Sequence, residues 1–223
     1  MNDFLNWIIL VLLYFSSFLI LISKENKAVL LSIYKKLLSI SLVFVLNYFV
    51  IERFENRFLT NLSISSIAYF IFYYFSKRAF INFKLRKIRI SYFILTILSS
   101  LCFSFIVDTV YEVKGYQNSN FFIIENGVYY ALIFFCVLPA IFEEFFFRII
   151  ILEELLTIYS KKNAIIISSF FFAISHLIFH PLISFPYLFL MGILLATIMS
   201  KTKNITYSVI FHLTYNLFVF KII

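Results

Sequence analysis

The chain has 223 residues, 63% of them hydrophobic and 13% charged, with a formal net charge of +8. A soluble domain is about 45–50% apolar and about 25% charged, so no water-soluble fold of this length can hide the apolar surface carried here. The apolar runs are long and continuous, which excludes a β-barrel with its alternating positions. The basic residues lie between those runs and form no single patch, which speaks against nucleic acid and fits the positive-inside bias of membrane loops.

A spanning helix needs about 20 mostly apolar residues. Eight segments are candidates: Phe4–Ile22, Leu31–Ile51, Phe58–Phe75, Ile90–Tyr111, Val128–Leu156, Ala164–Phe179, Ser184–Ser200 and Ile205–Ile222. The expected fold is therefore an all-α, polytopic transmembrane bundle of about eight helices. The first segment has Asp3 where a signal peptide has basic residues, and no small-residue cleavage site before Lys24, so it reads as a retained helix. Lys35 and Lys36 at the start of the second can snorkel to the interface. The basic stretch Ser76–Arg89 reads as a cytoplasmic loop that also meets anionic headgroups. The fifth segment is long and contains Pro139, which predicts a kink or break. The sixth and seventh are short, which suits helices that need not cross the whole bilayer.

With three Gly and three Pro, the sequence offers no linker and no low-complexity tract. It reads as one integrated membrane domain, with N-terminal helices in residues 1–127 and a functional core in residues 128–223. Cys102 and Cys136 lie inside apolar runs without metal or disulfide spacing and read as lipid- or core-facing hydrophobes. The odd-numbered connections hold fourteen Lys and Arg; the even ones and the C-terminus hold four. That asymmetry puts the odd connections in the cytoplasm. It also runs the sixth span outward, with His176 toward its outer end. Heavy use of Ile, Phe, Lys and Asn points to an AT-rich bacterial genome, and so to a bacterial plasma membrane.

An ionisable side chain inside a span costs roughly 2.5–3.5 kcal/mol on insertion scales and needs a reason to be there. Most spans read as clean, and the exceptions gather in the last helices: Glu143, Glu144, Arg148, His176 and His212, with the polar Asn216. Glu144 and Arg148 are four apart on a helix and can pair. Glu143 lies about 100° round from Glu144 and is left comparatively free, as a general base must be. Phe172 and His176 share a face, and so do His212 and Asn216, which could both donate to an oxyanion. Taken singly, each pair could equally be packing glue between helices. Glu153 and Glu154 read as the interfacial end of the fifth helix, and His180 before Pro181 as a loop residue. Gly192, Ala196 and Ser200 form a small-residue stripe that permits close helix contact.

The ordered set Glu143-Glu144…Arg148, Phe172…His176 and His212…Asn216 resembles the motifs EExxxR, FxxxH and HxxxN of the CPBP family. This is the family of CAAX proteases and bacteriocin-processing or immunity proteins, also called Abi. The resemblance covers roughly Val128–Asn216 and includes a glycine, Gly192, in the intervening helix. It implies intramembrane proteolysis in which Glu143 activates water with help from His176. His212 and Asn216 would hold the oxyanion, and Glu144 and Arg148 would support the site.

No HExxH motif is present, and the expected cofactor is none. The zinc alternative would assemble Glu143, His176 and His212 with a water, a sufficient catalytic ligand set. The expected partners are the lipid bilayer and a peptide or protein substrate in or near the membrane. Pheromone or bacteriocin maturation, or self-immunity, is the expected setting. A non-catalytic immunity or regulatory protein that binds a peptide is the second reading. A transporter is the third and weakest, because the polar residues gather at one locus.

Overall fold

A computed structural model describes residues 28–29, 31–35, 87–113, 132–177 and 182–220. Among them are six α-helices and no strand: α1 (Ile90–Val113), α2 (Leu138–Glu144), α3 (Leu152–Leu156), α4 (Lys161–His176), α5 (Phe185–Thr202) and α6 (Ile205–Val219). The first and third candidate spans, most of the second, most of Ser76–Arg89 and His180 lie outside the described residues, as does the 127/128 boundary. The fourth to eighth spans are helical where described. The expectation of an all-helical membrane protein holds for them.

Helix α1 shows why lipid is the solvent. Its polar residues Thr96, Ser100 and Ser104 are buried together with Phe103 and Val107. They fall at helical spacing on one stripe. The opposite face is apolar and open, with Ile90 76% and Phe105 66% exposed. A helix that turns small polar groups inward and large apolar ones outward can be stable only where the surroundings are apolar. At 24 residues it reaches about 36 Å at 1.5 Å per residue, enough for a bilayer core. The seventh span is also long enough. A 3₁₀ turn at Leu182–Ser184 precedes α5, and the two together give a 21-residue apolar span, Leu182–Thr202, where the sequence had suggested a short one.

The fifth span does not break at Pro139. Helical backbone runs from Leu132 to Leu156, and what changes is its hydrogen-bond register. Leu132–Val137 is π-helical, α2 follows with Pro139 in its first turn, Phe145–Ile151 is π-helical again, and α3 ends the run. A proline lacks an N–H and its ring collides with the carbonyl four residues back. The wider turn before it and the fresh α start at Leu138 accommodate both.

The chain forms two compact units. One comprises Met1–Phe83 with Ile150–Gly192, the other Lys84–Ile149 with Ile193–Ile223. In the first unit, Ser160 caps α4 by accepting from the Asn163 N–H, which explains why this helix starts before Ala164. The Ser32 hydroxyl donates to Glu154 at 3.3 Å, and Glu153 beside it is exposed. Gly192 of α5 rests directly on α4: a Cβ there would lie 3.0 Å from both Cα and Cβ of Ser169. The small-residue stripe thus does what its spacing suggested, at least at Gly192.

In the second unit α1 and α6 run parallel. The Arg89 N–H donates to Tyr207 Oη at 2.7 Å, Ser100 Oγ donates to the Phe211 carbonyl at 2.7 Å, and Phe103 packs on both Phe211 and Tyr215. From the other side, Ser208 Oγ of α6 donates to the Leu195 carbonyl of α5 at 3.1 Å. Hydroxyl-to-carbonyl bonds of this kind join helices where no hydrophobic effect can. Gly192→Ala is expected to cost about 1–3 kcal/mol by overpacking against the Ser169 backbone, and Gly192→Leu to prevent folding. Thermal unfolding of the detergent-solubilised variants measures both.

Candidate active site

The site in the second unit is built on α2, the π-helical turn after it and α6. Glu143 and Glu144 are the last two residues of α2, and Arg148 follows in the π segment. Arg148 Nε donates to Glu144 Oε2 at 3.0 Å, and both side chains are fully buried. The pairing expected from four-residue spacing is therefore present even though it crosses from α into π register.

His212 of α6 supplies a second donor to the same carboxylate. Its Nδ1 lies 3.1 Å from Glu144 Oε1. A carboxylate accepts, so Nδ1 carries the proton, and Nε2 is turned to the reactive side. There it meets Glu143 Oε2 at 3.9 Å. Glu143 is therefore not the comparatively free group that the sequence suggested: one imidazole bonds to Glu144 and stands beside Glu143 at ion-pair, not hydrogen-bond, distance. The sequence could not reveal it, because the 68-residue separation of Glu144 and His212 is closed only by the packing of α6 on α2.

Exposure separates the two acids. The Glu144 side chain has no accessible surface, whereas that of Glu143 is 22% exposed. Only Glu143 can reach a water or a substrate. Charge adds a second distinction. Glu143, Glu144 and Arg148 sum to −1, so the group becomes neutral when one further proton sits on either His212 Nε2 or Glu143. In a low-dielectric interior that neutrality matters, because an uncompensated buried charge is expensive. A proton that can rest on either of two facing atoms is what acid–base chemistry requires.

Asn216 lies one turn beyond His212 on α6 and is buried. Its Nδ2 donates to the Cys136 carbonyl at 3.4 Å; the second hydrogen on that nitrogen remains for another acceptor. Cys136 itself is buried and Cys102 exposed, and neither is in a disulfide, in keeping with their reading as core- and lipid-facing. The contribution of Cys136 to the site is its backbone, offered by the π-helical segment Leu132–Val137. No side-chain signal in the sequence could mark that role.

His176 belongs to the first unit, at the end of α4. Its ring packs on Phe172 with centroids 4.4 Å apart, as their shared face predicted. Its Nδ1 lies 2.8 Å from the Phe172 carbonyl, which can only accept. Nδ1 is thus protonated, and in the neutral ring Nε2 bears the lone pair. One ionisable residue escaped the sequence reading: Asp108 is half-buried near the C-terminal end of α1. Among the described residues, no three His, Cys, Asp or Glu side chains form a group able to hold a metal ion.

Arg148→Ala would leave Glu144 buried with His212 as its remaining partner among the described residues, and is expected to destabilise the protein by about 3–5 kcal/mol, the cost of breaking a buried pair. Arg148→Lys should recover part of this, because an ammonium can replace the charge but not the guanidinium geometry. Thermal unfolding and the yield of monodisperse protein in detergent check both.

Residues 125–218 match the family model described as Type II CAAX prenyl endopeptidase Rce1-like. No curated protein and no solved structure matches the chain. The matched segment contains Glu143, Glu144, Arg148, His176, His212 and Asn216, and it encloses the stretch whose motifs resemble the CPBP family. Over these residues the chain is thus similar to the Rce1-like family of type II CAAX prenyl endopeptidases.

Proposed function

We propose that the protein is an intramembrane endopeptidase that hydrolyses a peptide bond with water activated by Glu143. The observation that carries this reading is His212 held between a buried carboxylate and an accessible one, within the segment matched to an endopeptidase family. With the shared proton on His212, Glu143 is an ionised base while Nε2–H is a cationic donor. The two functions needed at the start of hydrolysis then stand 3.9 Å apart.

Glu143 takes a proton from water as its oxygen attacks the peptide carbonyl. The developing oxyanion accepts from His212 Nε2–H and from the second Asn216 Nδ2–H. Collapse of the tetrahedral intermediate breaks the C–N bond, and the proton held by Glu143 passes to the leaving amine. The family resemblance gives His176, with its Nε2 lone pair, an assisting role in the proton transfers. Arg148 and Glu144 hold the imidazole in the orientation the reaction uses. A preorganised donor pair of this kind is worth about 10²–10³ in rate for each donor lost. Catalysis in this scheme needs no metal.

The substrate class follows from the setting: a peptide or protein segment in, or anchored to, the bilayer. The family description names prenylated CAAX ends. For a chain of AT-rich bacterial composition, maturation of a peptide pheromone or bacteriocin, or immunity to one, is the setting we favour. Residues 128–223 would form the catalytic core and residues 1–127 the N-terminal transmembrane helices, in the plasma membrane.

The test is cleavage of membrane-anchored reporter peptides by the reconstituted protein. Glu143→Gln, His176→Ala and His212→Ala are each expected to lower turnover by about 10²–10⁴, the range for loss of an acid–base group, with chelator leaving the wild type unchanged. Activity unaffected in all three variants would refute the assignment. If Glu143→Gln still protected cells against a cognate bacteriocin, the non-catalytic immunity reading would replace it.

A further inference from the structure

We propose that the second unit carries a binding site for an anionic phospholipid headgroup at the end where α1 and α6 begin. The site is independent of the catalytic reading. It brings together two basic segments that are more than a hundred residues apart in sequence. Lys87 and Arg89 lead into α1, and Lys201 and Lys203 flank the corner between α5 and α6; all four are exposed. The bonds between the Arg89 backbone and Tyr207 put the start of α1 on the third residue of α6. Tyr207 in turn is four residues after Lys203, which lies just outside α6 beside its N-cap, Asn204.

Three features make this more than a charged loop. First, among the described residues none of the four cations is seen paired with an acid, unlike Arg148 and His212, which meet Glu144 and Glu143. Second, the corner is rigid. Lys203 N–H donates to the Met199 carbonyl at 2.8 Å, Thr202 Oγ1 accepts from the Asn204 N–H, and Asn204 caps α6 through the Thr206 N–H at 3.1 Å. Third, Lys203 has φ of 52°, the left-handed conformation in which glycine is the favoured residue. A lysine kept there, against its own backbone preference, holds an ammonium outward from a fixed corner.

The surroundings identify the ligand. Tyr92 and Tyr207 meet edge-on with centroids 6.0 Å apart, and the Arg89 guanidinium lies 5.7 Å from the Tyr92 ring. Tyr92, 43% exposed, is an amphipathic ring of the kind that marks the headgroup level of a bilayer, while Tyr207 is buried and ties the two segments together. The flanking α1 surface, with Ile90, Ile94 and Leu95 exposed, is apolar as acyl chains require. A phosphate at that level, tethered to acyl chains lying along α1, satisfies both the cations and the apolar wall. A soluble anion satisfies only the first.

The experiment is native mass spectrometry of the full chain released from mixed phosphatidylglycerol and phosphatidylcholine micelles. Retained phosphatidylglycerol should exceed phosphatidylcholine. Lys203→Gly should lower phosphatidylglycerol retention about fivefold, the factor equivalent to about 1 kcal/mol for one basic residue near an anionic surface. Because glycine relieves the backbone, this variant should be at least as thermostable as the wild type, so lost binding cannot be lost folding. Lys162→Gln, on α4 of the other unit, should leave retention unchanged. Equal retention of the two lipids, an unchanged Lys203→Gly variant, or an equal loss in Lys162→Gln would overturn the site. So would displacement of the lipid by millimolar inorganic phosphate, which would assign the cations to a free anion.

Discussion

A carboxylate that has lost all contact with water must find its full complement of charge and hydrogen bonds inside the protein, and Glu144 finds both. Arg148 reaches one oxygen from the next turn of its own helix and His212 reaches the other from α6. In a low-dielectric interior these bonds are strong and leaving either oxygen unmet is costly. The arrangement is therefore stiff. It fixes which nitrogen of His212 carries the proton and which way the other points. Glu143 sits where that second nitrogen is aimed. The buried acid thus sets which nitrogen of the imidazole faces the accessible one.

The rest of the second unit can be understood as support for that contact. Helix α6 must hold His212 at a fixed height and rotation, and it is tied on both sides by hydroxyl-to-carbonyl bonds: Ser100 to Phe211, one residue before the histidine, and Ser208 to Leu195, one turn before it. Helix α2 must present two adjacent glutamates, and it is bounded on each side by π-helical backbone. Turns of that kind are most often found near functional sites, because they re-aim side chains without ending the helix. Here the first offers the Cys136 carbonyl to Asn216 and the second carries Arg148 back to Glu144.

Much of this was legible in the sequence, and the limits have physical causes. Composition alone required lipid, and the inside-out polarity of α1 is the structural form of that requirement. Four-residue spacing paired Glu144 with Arg148 and stacked Phe172 on His176, because such contacts are local and depend only on helical periodicity. The small-residue stripe foretold the approach of α5 to α4 at Gly192. What spacing could not supply was contact between distant segments, so Glu143 read as free when His212 faces it. Nor could it supply register. Pro139 signalled a kink or break, whereas helical backbone continues through it with a switch from π to α. Asp108 was passed over because, near the end of an otherwise apolar run, it leaves the run's hydropathy intact. The Cys136 carbonyl was invisible because every residue has one.

The central claim is that His212 acts as Glu144 holds it, so that the buried acid contributes to chemistry only through the histidine. A double-mutant cycle on peptide turnover by folded, reconstituted protein tests it, using Glu144→Gln, His212→Gln and the pair together. If the claim is right, each single variant loses most of the activity and the double loses little more than His212→Gln alone. The coupling would then be about 1–3 kcal/mol, the upper part of the range for residues in one network. Losses that simply multiply would contradict it, showing that Glu144 and His212 contribute independently.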